Sequence, residues 1–200
     1  SRRQADDSLQ QYLEAQQVVS IYGVDTRALV AHIRNCGAMN CVISSETTDL
    51  QVLKTRLSQT PSMKGLELAS VVSTKEVYET GNPHSRYRVA VFDYGVKKNI
   101  LNCLTERGAY VTVYPAKTAL QEIEDFNPHG YFMSNGPGDP APMEYAVQTI
   151  REILQKEKPL FGICLGHQLL AMANGIPTFK MHHGHRGLNH PVKNIITGRS

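Results

Sequence analysis

Residues 162–166 read Gly-Ile-Cys-Leu-Gly. An apolar run suited to a strand precedes them, and a run suited to a helix follows. In that setting the pentapeptide is the cysteine form of a nucleophile elbow. The nucleophile, Cys164, occupies a sharp strand-to-helix turn. Gly162 and Gly166, two positions before and after it, keep side chains away from the neighbouring chain. Amides that open a helix favour negative charge in front of them. The N–H of Leu165 is well placed to stabilise an oxyanion. Without that chemistry, Cys164 is a small side chain at a strand end, between glycines that serve packing only.

A second candidate is the stretch SNGPGDPAP at 134–142. Gly136 and Gly138, on either side of Pro137, let a backbone approach a ligand closely and present its amides. Taken alone, Asn135–Gly138 is a tight turn. Both stretches, however, leave the carboxyl ends of consecutive expected strands, where parallel sheets gather their ligands. They should therefore face each other and share a site.

Other reactive side chains carry weaker signals. His182, His183, His185 and His190 cluster near the end of the chain. They lack helical i, i+4 spacing and a nearby carboxylate, so no metal site is expected of them. Glycines and a proline surround them, which predicts a loop with a structural or interface role. His167 lies on the elbow helix, where it packs or orients its neighbours. Lys97 and Lys98 follow a strand and could meet a phosphate, but a solvated helix start is the plainer reading. Cys36, Cys41 and Cys103 are expected to be reduced thiols. Cys36 and Cys41 have no second pair to complete a zinc site, and Cys103 reads as a small buried hydrophobe.

The elements that position these residues come in two groups. Helices are predicted at 6–17, from about 26 to 36 with Gly37 as its cap, and at 49–58, with a strand at 39–44. Gly81-Asn82-Pro83 breaks the pattern, and a domain boundary is placed between 73 and 87. From 88 onward strands and helices alternate. Strands are expected at 88–94, 109–114, 130–134 and 159–163. Helices are expected at 97–107, 118–126, 143–156 and 165–174. Apolar strands joined by helical crossovers predict an α/β fold with a mostly parallel sheet covered on both faces.

Composition narrows the function classes. The chain has 200 residues, with 21 Lys+Arg against 18 Asp+Glu, for a net charge of +3. That balance is too mild to suggest a nucleic-acid partner. With 41% hydrophobic and 20% charged residues, the mixture is that of a globular protein. No apolar run is long enough for a membrane span, and no signal-peptide core opens the sequence. A cytoplasmic location is expected. The first residue is Ser rather than Met, which suggests part of a longer product.

SNGPGDPAP and FGICLGHQLLA together resemble a class I, triad-type glutamine amidotransferase domain. GVDTRALVAHIR (23–34), FDYGVKKNIL (92–101) and GHRGLNHPVK (184–193) resemble, more narrowly, the small subunits of carbamoyl-phosphate synthetases. The resemblance runs from about residue 21 to 200. It implies a partial N-terminal α/β domain at 1–80, followed by a partial doubly wound amidotransferase domain at 88–200. It also implies that Cys164 attacks glutamine and passes through a γ-glutamyl thioester. Gly136, Gly138, Leu165 and Gln168 match positions that line the family's glutamine pocket and oxyanion site. No cofactor is implied for this subunit. The partner would be a large synthetase subunit that uses ATP, a divalent metal and bicarbonate to make carbamoyl phosphate for arginine and pyrimidine synthesis.

The family's base comes from a His-x-Glu motif, and no such triplet occurs in the 200 residues. The family's glutamine-contacting serine near the start of its N-terminal domain has no counterpart either. The chain is therefore expected to be cut at both ends and inactive alone. Three competing readings remain: another amidotransferase, a non-catalytic scaffold, and a different cysteine hydrolase. The N-terminal region argues against the first. The intact elbow argues against the second, and the Asn-Gly-Pro-Gly loop is superfluous to the third.

Overall fold

A computed structural model describes residues 8–184 and 191–200. The chain divides into two compact units, one of residues 1–62 and 180–200, the other of residues 63–179.

Three helices build the first unit: α1 (Leu9–Ala15), α2 (Thr26–Cys36) and α3 (Leu50–Gln59). Each begins on a side-chain cap. Ser8 and Gln11 form a capping box at α1, Asp25 accepts from Ala28 N at α2, and Asp49 accepts from Gln51 N and Val52 N at α3. None of the three buries a side chain. Gly37 ends α2 with φ +88° and ψ 174°, an extended mirror-image conformation rather than the left-handed helical one usual for a capping glycine. The cause is the neighbour beyond it, since Ala38 N donates to His182 O at 2.9 Å. The strand predicted at 39–44 is absent. A strand needs a ladder partner, and no other strand lies among the described residues of this unit. Asn40 instead donates its side-chain amide to Thr60 O and Pro61 O, at 3.0 and 3.1 Å.

The second unit is a five-stranded sheet: β1 (Tyr78–Thr80), β2 (Tyr87–Asp93), β3 (Ala109–Pro115), β4 (Gly130–Met133) and β5 (Leu160–Gly162). Its order is β1-β3-β2-β4-β5. All neighbours are parallel except β1, which runs antiparallel to β3 with Tyr78 opposite Val113. Neither β1 nor the short helix α4 (Ala69–Val72) is signalled by periodicity, because both are too short to show one. β1 puts residues 78–80 in the sheet, whereas the sequence pattern grouped them with the N-terminal region.

Alternation along the strands sends successive side chains to opposite faces. Ala90, Phe92, Tyr131 and Met133 join one core with Ile150 and Ile153 of α6 (Glu144–Gln155) and Leu165 and Leu169 of α7 (Leu165–Ala173). Val91, Val111, Val113 and Phe132 join the other with Leu101 of α5 (Lys98–Thr105). Helices thus cover both faces, as the doubly wound reading requires. The segment predicted as a helix at 118–126 is a 3₁₀ helix, Leu120–Phe126. Asn127, at φ +45°, stops it.

Candidate functional site

β4 and β5 are hydrogen-bonded neighbours, with Met133 opposite Gly162. The loops that leave their carboxyl ends therefore start side by side. The loop after β5 is the elbow. Cys164 has φ +52° and ψ −109°, one of few non-glycine residues at positive φ. A side chain there is strained, which is the usual mark of a residue held for a purpose. Cys164 is exposed and unpaired.

The flanking glycines are sterically required. A Cβ on Gly162 would meet Gly166 C and O at 2.6 Å and His167 N at 2.8 Å. A Cβ on Gly166 would collide with the backbone carbonyl of Met133. That close approach lets Gly166 N donate to Ser134 O at 3.1 Å, while Ile163 N donates to Met133 O at 3.1 Å. Leu165 is buried and opens α7. Its N–H is among the first-turn donors that no carbonyl of the same helix can reach. Gln168 lies one turn on, exposed, with its N–H donating to Cys164 O at 3.0 Å. His167 is exposed on the same helix.

The loop after β4 is pinned at both ends. Ser134 is fully buried, and its Oγ accepts from Tyr94 N and donates to Asn135 O, both at 2.8 Å. Asn135 donates Nδ2 to Gly95 O at 2.9 Å and accepts from Lys97 N at 3.3 Å. Gly136 lies so close to Tyr94 that a Cβ would overlap the Tyr94 carbonyl. At the far end, Asp139 N donates to Leu66 O at 2.9 Å, and Asp139 Oδ2 accepts from Gly65 N at 2.8 Å. Gly138, at φ +101°, faces Leu66 O and Leu68 N, which a Cβ would meet at 2.8 and 2.9 Å. The turn after β2 is braced by Asp93, whose carboxylate accepts from Gly95, Val96 and Thr74 amides at 2.9, 2.8 and 2.7 Å.

One charged cluster borders this edge. Glu67 accepts from Ser70 N at 2.9 Å and from Tyr145 OH at 3.1 Å, and Ser70 Oγ also donates to it. Lys117 Nζ stands 5.4 Å from the Tyr145 ring centroid. Burial opposes the Glu67 charge, but the Ser70 and Tyr145 hydrogen bonds and the Lys117 charge outweigh it. Together they hold the carboxyl below its ordinary value of 4.5. Burial, with Glu67 nearby, pushes the Tyr145 phenol well above its ordinary value.

The sequence-predicted set thus separates by element. Cys164, Leu165 and Gln168 lie on the elbow and its helix, and Gly136 and Gly138 lie on the adjoining loop. His182 and His183 belong to the first unit, where His182 Nε2 is 3.3 Å from Asn35 O. His185 and His190 lie outside the described residues. Among the described residues no group of three His, Cys, Asp or Glu side chains could hold a metal ion. Cys103 is half-buried, not fully buried, and its Sγ is 3.9 Å from Asn99 Nδ2. Sequence reasoning missed Ser134, Asp139, Asp93 and Glu67. The Asp139-Pro140 and Asp93-Tyr94-Gly95 steps carry a turn signal that could have marked the two aspartates. Glu67 carries no local signal, since its Tyr145 partner is 78 residues away.

Among the described residues no helix is long and apolar enough to cross a membrane. Residues 90–199 match the family described as glutamine amidotransferase class-I. Residues 1–43 match the CPSase domain of the carbamoyl-phosphate synthase small chain. Over 96% of its length the chain is 48% identical to a Pseudomonas putida protein named carbamoyl phosphate synthase small chain, of which it covers 55%. Proteins of the same name from Chlorobaculum tepidum and Vibrio cholerae are 46% and 42% identical over 98% and 99% of the chain, which covers 54% and 56% of them. The chain spans about half the length of the curated relatives it matches.

Proposed function

The chain belongs to the class-I glutamine amidotransferase family, and from that premise we propose that it supplies the nucleophile's side of a glutaminase site in a carbamoyl-phosphate synthase small chain. The observation that carries this reading is the exposed Cys164 at positive φ, set beside the pinned 134–142 loop. The Cys164 sulfur attacks the side-chain amide carbon of L-glutamine. Negative charge collects on the former carbonyl oxygen, and the amides of Leu165 and the 136–138 loop receive it. Collapse of that intermediate expels ammonia and leaves a γ-glutamyl thioester on Cys164. Water then cleaves the thioester to glutamate and restores the thiol. Gly136, Gly138 and Gln168 line the glutamine pocket.

Proton transfer needs a base, and the family's His-x-Glu triplet does not occur in these 200 residues. The 200-residue chain by itself is therefore a very poor glutaminase. In the assembled enzyme the ammonia passes to a large subunit, which binds ATP and a divalent metal and makes carbamoyl phosphate for arginine and pyrimidine synthesis in the cytoplasm.

The test is direct. In the full-length protein, glutamine-dependent glutamate release should fall by orders of magnitude on Cys164→Ser. Mass spectrometry of acid-quenched wild type should find a γ-glutamyl adduct on the peptide carrying Cys164. Undiminished release from Cys164→Ser would exclude the mechanism. Robust release from the 200-residue chain alone would exclude the missing-base argument.

A further inference from the structure

The geometry points to Glu67 and Tyr145 as positioning residues that lock the 136–138 loop through the irregular segment 65–68. This deepens the glutaminase reading and rests on it for the catalytic part alone. The loop has two glycines within three residues, and glycine gives up more conformational freedom on ordering than any other residue. Something outside the loop must hold its amides in place. Segment 65–68 does so, exchanging two hydrogen bonds with Asp139 and lying against Gly138.

That segment has no helix or strand of its own to stiffen it. Its anchor is the side chain of Glu67. The carboxylate is tied forward to Ser70, at the start of α4, and across to Tyr145, in the first turn of α6. α6 begins directly after the loop, so the clamp closes a ring: loop, α6, Tyr145, Glu67, segment 65–68, loop. Residues 65–68 also lie outside the 90–199 stretch that matches the amidotransferase family. The clamp therefore ties a segment in front of the matched stretch to Tyr145 inside it.

A displaced oxyanion donor costs rate more than binding, because the donor acts most strongly on the transition state. Tyr145→Phe keeps the ring and removes only the hydroxyl, and Glu67→Gln keeps the shape and removes the charge. Both are made in the full-length protein with its synthetase partner and read in two ways. In the first, amide hydrogen exchange is followed in the peptide covering 135–141. It should speed up several-fold in both variants while peptides from β2 and β3 do not change. In the second, glutaminase kcat should fall by about tenfold to a hundredfold with KM for glutamine changed far less.

Unchanged loop exchange in both variants overturns the clamp. Faster exchange with unchanged kcat overturns its role in positioning the donors. A rise in KM alone does the same, since it makes the pair a binding contact. A wild type with no glutaminase at all sinks the functional reading instead, and the exchange measurement still decides the clamp.

Discussion

The elbow around Cys164 and the adjoining 134–142 loop are each held by close contacts that are mostly backbone. Gly166 is pressed against the Met133 carbonyl and Gly136 against the Tyr94 carbonyl. A methyl group added at either place meets an atom that cannot swing away. Gly166→Ala and Gly136→Ala should each destabilise the sheet unit by about 1–3 kcal/mol or more, as overpacked cores do. Chemical denaturation of each variant checks this, and an unchanged midpoint would mean that the strands give way. Glu67 adds a pH dependence. Its carboxyl is held below 4.5 in the folded state, so it contributes stability above that value and loses it as the pH falls through the folded value. Glu67→Gln should therefore be less stable than wild type at neutral pH. The difference should shrink and vanish as both are acidified.

At the scale of elements, the long segments were legible in the sequence, and so were the short β4 and β5 inside the strand–helix alternation, but β1 and α4 were not. The near-continuous apolar runs of RVAVFDY and AYVTVY mark β2 and β3 because each buries side chains on two faces. Asp25 announces α2 by capping it, whereas Asp49, expected as the first residue of the 49–58 helix, is instead the cap of α3. Residues 39–44 carry the apolar content of a strand, but pairing is a tertiary property and the described residues of their unit hold no partner strand. β1 shows the converse: three residues with little pattern become a strand because the β3 edge receives them. At the site, Cys164 and the 136–138 loop were readable because glycine spacing is a local demand. The Glu67–Tyr145 pair was not, because it depends on a contact that only folding creates. The order of strands has a measurable consequence. Amides of β2, β3 and β4 should exchange slowest in the chain. Those of α1, α2 and α3, which bury no side chain, should exchange fast.

Across the whole molecule, apolar surface is spread unevenly. In the sheet unit Phe92, Met133, Ile150 and Leu169 are nearly or completely buried. In the first unit Leu29, Val30 and Leu50 are more than half exposed, and Tyr22 is 97% exposed. Exposed apolar surface on that scale is a sticky surface. The 200-residue chain should bind a hydrophobic dye at neutral pH and self-associate as its concentration rises. Light scattering that stays flat with concentration would contradict this.

The sheet also tapers. β2 and β3 are seven residues long, while β5, which carries the elbow, is only three. Cys164 thus hangs from a three-residue edge strand, as short as β1 at the other margin, secured by a short ladder and the Gly166–Ser134 bond. Fraying at a margin costs far less than melting the centre. On gentle warming of the full-length protein, formation of the proposed thioester should fade at a lower temperature than the sheet's circular dichroism. It should return on cooling, as a reversible thermal cut-out.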